Sequence, residues 1–224
     1  MKLLGLILAS YASAGIAMVG LYYVYKTHRM QHWMISDDPH RAKPDAEIYR
    51  SALLNMVVSV ALIFSAMYGL QNFLYYDHAI PWWRYVLEIV TVIMIYDFAY
   101  YFVHRYLFHE WRTLRWVHSI HHASRNPRVV DSLLLHPIET IIGLSLFFGS
   151  VMLVGGVHFY TLGVLFTAYT AFNVLNHAGV NVDRFPFKTM GVLAVKHDRH
   201  HHSMLSGNYA SITPLPDIIF GTVE

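Results

Sequence analysis

His118-Ser-Ile-His121-His122 and His197-Asp-Arg-His200-His201 repeat one spacing, H-x-x-H-H, within a single chain. On a helix, positions i, i+3 and i+4 bring three imidazoles onto one face within a turn. His104 and His109 form a looser pair at i, i+5, about 140° apart on an ideal helix, so they converge only where the helix ends or bulges. His177 stands alone in Asn176-His177-Ala178-Gly179. Neutral imidazole binds first-row transition metals, and three or four ligands suffice for one zinc. Nine converging histidines are too many for one ion and suit two. The rival reading is a set of solvated histidines tuned for pH sensing, against which the repeated triplet weighs heavily. His28, His32 and His40 fit that reading, since they sit in a basic loop.

The rest of the composition narrows the chemistry. The chain has 224 residues, 16 histidines and no cysteine, which excludes a disulfide scaffold, a thiolate zinc finger, an iron–sulfur centre and a cysteine nucleophile. Hydrophobic residues make up 55 % and charged residues 13 %, about half the roughly 25 % charge of a soluble domain. A disordered chain is excluded and a soluble enzyme disfavoured.

The apolar residues collect in runs that match the roughly 20 helical residues of a bilayer crossing. They are Leu3–Tyr25, Ser51–Tyr76, Trp82–Val103 and Ile138–Leu175. Ala12-Ser13-Ala14 resembles a signal-peptidase site, but the apolar character continues to Tyr25, so the first run is read as a retained anchor. The last run is short for two crossings and has Gly155-Gly156 near its middle, which predicts a hairpin of two short, re-entrant helices. The expected fold is all-α: an integral membrane protein with four to five transmembrane or re-entrant helices and a cytoplasmic helical, histidine-rich metal domain. Lys26, Arg29, Arg41, Lys43 and Arg50 follow the first run. Arg105, Arg112, Arg115, Arg125 and Arg128 follow the third, and Arg184, Lys188, Lys196 and Arg199 follow the hairpin. Only Lys2 and Arg84 fall elsewhere, so the positive-inside rule puts the histidine-bearing side in the cytoplasm. The net charge of +2 reflects this topology and gives no sign of nucleic-acid binding.

Two acids lie inside the third run, Glu88 and Asp97, where a charge costs about 2.5–3.5 kcal/mol on insertion scales. Asp97 precedes His104 by seven residues, on the same helix face to within about 20°. It is expected to orient a ligating imidazole, whereas Glu88 is divided between a site role and a structural one. Asp198 and Arg199 point off the ligand face of the last triplet and are read as surface or partner-docking residues. A zinc protease would need H-E-x-x-H, and His109-Glu110 lacks the second histidine. The alternative, a membrane metal transporter or metal-binding protein, would place ligands at mid-membrane; here they cluster beyond the helix ends.

The order His104-x4-His109, His118-x2-His121-His122, His177, His197-x2-His200-His201 resembles the fatty acid hydroxylase/sterol desaturase superfamily. Asp97, His104-Arg105, His136-Pro137-x-Glu139, Asn208-Tyr209-Ala210 and Phe220-Gly221-Thr222 add to the likeness, which covers roughly residues 82–222. Pro216-Asp217 departs from it, since many members have Trp before that Asp. His202 makes a third consecutive histidine and leaves the register of the last triplet open by one. The resemblance implies residues 1–81 as anchor helices with a basic loop and residues 82–224 as the catalytic domain. It implies a di-iron oxygenase in which the nine histidines hold two iron ions, with zinc able to substitute on overexpression. Asp97, His136, Glu139 and Asn173 are implied as orienting or additional ligands, Asn173 standing where related hydroxylases have a histidine. The implied reaction is O2-dependent hydroxylation or desaturation of a lipid, sterol-like or fatty acyl. Electrons would come from a separate cytochrome b5 or ferredoxin with its NAD(P)H reductase, at a bacterial inner membrane or the endoplasmic reticulum.

Overall fold

The computed structural model describes residues 2–36 and 43–224; His40 and Arg41 of the basic loop lie outside the described residues. Among the described residues, three helices are long and apolar enough to cross a membrane: α1 (Lys2–Lys26), α2 (Asp45–Gly69) and α4 (Trp82–Phe102), which continues as a π-helix over Val103–Glu110. A one-turn helix, α3 (Gln71–Leu74), closes α2. Proline starts both later spans, Pro44 before α2 and Pro81 before α4. It holds an extended φ and lacks the N–H that a first turn would leave unpaired. Asp45 and Glu47 in the first turn of α2 favour its positive end.

The expected hairpin is α6 (Pro137–Leu153) and α7 (Phe159–Asn176). At 17 and 18 residues, both fall below the roughly 20 of a full crossing. Gly155 and Gly156 make the turn with φ of +81° and +84°, a region that only glycine enters cheaply. The two strands, β1 (Tyr75–Tyr76) and β2 (Val157–His158), pair in parallel with Tyr75 opposite Val157. His136 and His158 are matched N-caps, accepting at Nδ1 from Ile138 N–H and Tyr160 N–H. The remaining helices are α5 (Arg112–Ser119), α8 (Lys188–His201) and α9 (Leu215–Phe220).

Ile63, Val92, Tyr96, Leu144, Phe147, Val151, Leu162 and Phe166 meet in one core where α2, α4, α6 and α7 pack. The outward faces carry Leu8, Ile16, Val19, Leu53, Val57, Val86 and Val90, all more than half exposed. So much exposed apolar surface fits a lipid environment and not water.

Glu88 takes the structural role. Its carboxylate accepts from the Tyr76 hydroxyl, from His158 N–H at 3.0 Å and from the Thr161 hydroxyl at 2.7 Å, with Arg84 one turn earlier at 3.5 Å. It ties α4 to the strand pair and to α7 at the end of the bundle away from the histidines. Glu88→Ala strands a buried N–H and two hydroxyls, each worth about 1–3 kcal/mol. The variant should melt well below the native protein, and Glu88→Gln, which keeps an accepting oxygen, should lose less. Metal content per folded chain should be unchanged in both.

Candidate metal centre

The π-helix that ends α4 answers the awkward His104–His109 spacing. Its wider turn pairs residues five apart, and the two rings come to 5.0 Å between centroids. After α5, His121 and His122 enter a 3₁₀ turn. His177 caps the C-terminus of α7, and α8 runs to His201. Each triplet is thereby divided between two groups. His104, His109, His118, His122 and His200 form one, and His121, His177, His197 and His201 form the other. Within each group the donor nitrogens lie within 4.8 Å of one another.

In the first group four Nε2 atoms close a ring: His104 to His118 is 2.9 Å, and His118 to His122, His122 to His200 and His200 to His104 are each 3.1 Å. A flat ring with edges of about 3 Å has its centre about 2.1 Å from each corner, the length of an ordinary metal–imidazole bond. His109 adds a fifth nitrogen, a buried Nε2 with no hydrogen-bond partner among the described residues. In the second group the Nε2 atoms run His121–His177–His197–His201 at 2.9, 2.9 and 3.1 Å. The groups adjoin, with His122 stacked on His201 at 4.6 Å.

The outward nitrogens decide what the inward ones can do. His104 donates Nδ1–H to the Tyr209 carbonyl (2.6 Å), His109 to Met204 (2.9 Å), His121 to Leu134 (3.2 Å) and His177 to Asn173 (2.9 Å). His200 donates to Gly207 (2.7 Å) and His201 to Ser124 (3.1 Å), while His118 donates to Glu139 Oε1 (2.8 Å). A carbonyl only accepts, so the proton sits on Nδ1 and the lone pair on Nε2 faces inward. Burial keeps the rings neutral. It pushes His118 down to about 3 and His121 to about 4. His122, His197, His200 and His201 are also held well below the ordinary range, by burial first and neighbouring imidazoles second. Neutral, pre-aimed lone pairs about 3 Å apart repel one another without a cation between them, so the donor set fits two transition-metal ions.

Not every expected contact is present. Asp97 does not touch His104: seven residues share a face but are separated by about 10 Å along the axis. Its buried carboxylate instead accepts from the backbone N–H groups of Ser211, Ile212 and Thr213 and from the Thr213 hydroxyl at 2.6–2.9 Å. His136 caps α6 and lies outside both groups. Asn173 contributes its backbone carbonyl, and its side chain is exposed. His202 is exposed and pairs with Asp198 at 3.3 Å, so the last triplet is His197, His200 and His201. Asp198, expected at the surface, is 4 % exposed beneath His202.

Sequence reasoning singled out Asn208-Tyr209-Ala210 but missed the work of the strap over residues 207–213, whose Gly207 and Tyr209 carbonyls hold His200 and His104. Asp217 grips it from the other side, accepting from Tyr209 N–H (2.7 Å) and Ala210 N–H (3.1 Å) and pairing with Lys196 (2.9 Å). Buried acids facing a Tyr-Ala-Ser-Ile-Thr run were the available clue. A side chain at Gly207 would collide with the Thr222 carbonyl.

Comparison with known proteins gives this geometry a family. The fatty acid hydroxylase model matches residues 89–222, more than half of the chain, and the chain belongs to that family. A methylsterol monooxygenase of Rattus norvegicus is 26 % identical over 216 residues, covering 92 % of this chain and 71 % of its own length. One from Arabidopsis thaliana is 33 % identical, covering 77 % and 64 %. A very-long-chain aldehyde decarbonylase of Oryza sativa subsp. indica is 32 % identical, covering 69 % and 58 %. No solved structure matches the chain. It is an oxidoreductase-type enzyme and a multi-pass membrane protein.

The depressed histidines set the sign of a pH effect. Their folded pKa lies below the unfolded value of about 6.5, so the unfolded chain binds more protons as pH falls. The stability they contribute is present above about pH 6.5 and is lost as pH falls toward 3–4, by about 1.4 kcal/mol per unit for each such histidine. Chelator-treated protein should therefore melt lower at pH 5.5 than at pH 7.5. A flat melting profile would contradict the buried neutral rings.

Proposed function

We propose that the chain is a membrane-bound non-haem di-iron oxygenase that hydroxylates or desaturates a C–H bond of a lipid. The observation that carries this is the pair of adjoining all-imidazole groups, five and four, held at the end of an apolar bundle. Bound iron would supply the one step side chains cannot, the activation of O2 against an unactivated C–H bond. His104, His109, His118, His122 and His200 would hold one ion and His121, His177, His197 and His201 the other. Iron is preferred to zinc on the chemistry, although zinc outranks ferrous iron for nitrogen sites and can replace it on overexpression.

The chain's own contribution is placement and dryness. Glu139 Oε1 and six backbone carbonyls fix the imidazoles. Tyr100 packs 5.1 Å from His104, and Tyr96 and Tyr169 follow it toward the core. These rings separate the histidines from the bundle interior and exclude water, while the lipid's apolar body stays in the membrane. In hydroxylation one oxygen atom enters the C–H bond and the other leaves as water; in desaturation both leave as water. Either way two electrons and two protons are consumed, from a separate cytochrome b5 or ferredoxin with its NAD(P)H reductase on the histidine side. The distribution of Lys and Arg supports a cytoplasmic position for that side. Residues 82–224 carry the catalytic domain and residues 1–81 anchor it. Similarity to methylsterol monooxygenases supports a sterol-like substrate, with fatty acyl lipids next.

Lipid profiles of cells with and without the protein test this reading. A lipid gaining one oxygen or losing two hydrogens, dependent on His121 and His200, is the expected result. Identical profiles from cells holding iron-loaded protein would overturn it.

A further inference from the structure

α9 is six residues long, yet Ile218 (60 %), Ile219 (57 %) and Phe220 (40 %) leave large apolar side chains exposed. Its opposite face is fully engaged, since Asp217 is 0 % exposed and grips the strap that holds His104. The exposed face is continuous with the outer surface of α4. Phe220 stacks on Tyr101 at 5.0 Å and meets Phe102 edge-on at 5.2 Å, and Phe102 is itself 41 % exposed. Phe102 is the twenty-first residue of α4, and about 20 helical residues cross the hydrocarbon, so Phe102 lies at its boundary. Trp116, 65 % exposed, sits 5.9 Å from His136 at the start of α6. That is where an interfacial tryptophan belongs.

We propose that α9 is a membrane-surface helix that lays Ile218, Ile219 and Phe220 into the acyl boundary of the leaflet beside the histidine groups. Short amphipathic elements bury an apolar face about 5–10 Å into that boundary. The occupant is lipid because the face prolongs the lipid-facing surface of α4 without a break. One helix then has two duties: its buried side fixes the strap and its exposed apolar side fixes the height of the metal groups above the bilayer. The proposal rests on α4 spanning the membrane and is independent of the reaction performed.

The chain has no cysteine, so single replacements give unique spin-label sites. Ile219→Cys and, separately, Ile218→Cys carry a nitroxide in proteoliposomes, with Val90→Cys on the outer face of α4 as the lipid reference. Arg125→Cys is the aqueous reference; it replaces an exposed charged residue that follows Ser124, whose carbonyl holds His201. Collision rates are measured with O2, which concentrates in lipid, and with a water-soluble nickel chelate. The O2-to-nickel ratio at 218 and 219 should exceed that at 125 several-fold and approach that at 90. A ratio at both positions equal to that at 125 would overturn the proposal and leave the face for a soluble protein. A water-like ratio at 90 would overturn it by removing the span on which it rests.

Discussion

The structure depends on the hydrogen bond from an imidazole Nδ1 to a fixed acceptor. A buried imidazole is useful to a metal only if it is neutral and its lone pair points the right way. Burial meets the first condition, and seven such bonds meet the second, six to backbone carbonyls and one to Glu139. Carbonyls suit the task because they cannot donate and cannot rotate away. The cost is several desolvated rings whose inward nitrogens repel, a tension that a cation at each centre would relieve.

Those carbonyls must themselves be held. Asp97, on a spanning helix, and Asp217, on α9, clamp the strap at Tyr209–Thr213 from two sides, using backbone N–H groups as handles. The order of causes runs from a buried acid to a strap, from the strap to a carbonyl, and from the carbonyl to an imidazole. Outer partners of this kind fix ring orientation and tune the metal. Glu88 performs a similar clamping task at the far end of α4, where it anchors the strand pair and α7. Both intramembrane acids are therefore satisfied by hydrogen bonds, which is how a carboxylate can persist among apolar helices.

Much of this was legible in the residues. Long apolar runs gave the spans, and Gly155-Gly156 gave the hairpin, because chain length and positive φ leave few alternatives. The i, i+5 spacing of His104 and His109 demanded a helix irregularity, and the π-helix supplies it. The division of each triplet was not legible. Spacing shows which residues share a face, but not that a 3₁₀ turn sends His121 to one group and His122 to the other. Carbonyl acceptors were equally hidden, since backbone groups carry no residue identity. Asp97 was expected to touch an imidazole and reaches one only through the strap, for a related reason: helical phase was read without axial distance. The burial of Asp198 under its pairing with exposed His202 escaped because the last triplet was judged by its ligand face alone.

Iron content of single-group variants tests the central claim most directly. Protein from iron-replete cells should hold about two irons per chain. His200→Ala opens the ring of four in the five-histidine group and His177→Ala breaks the four-histidine chain, so each variant should fall to about one. Two irons retained in both variants, or no more than one in the native chain, would contradict the account.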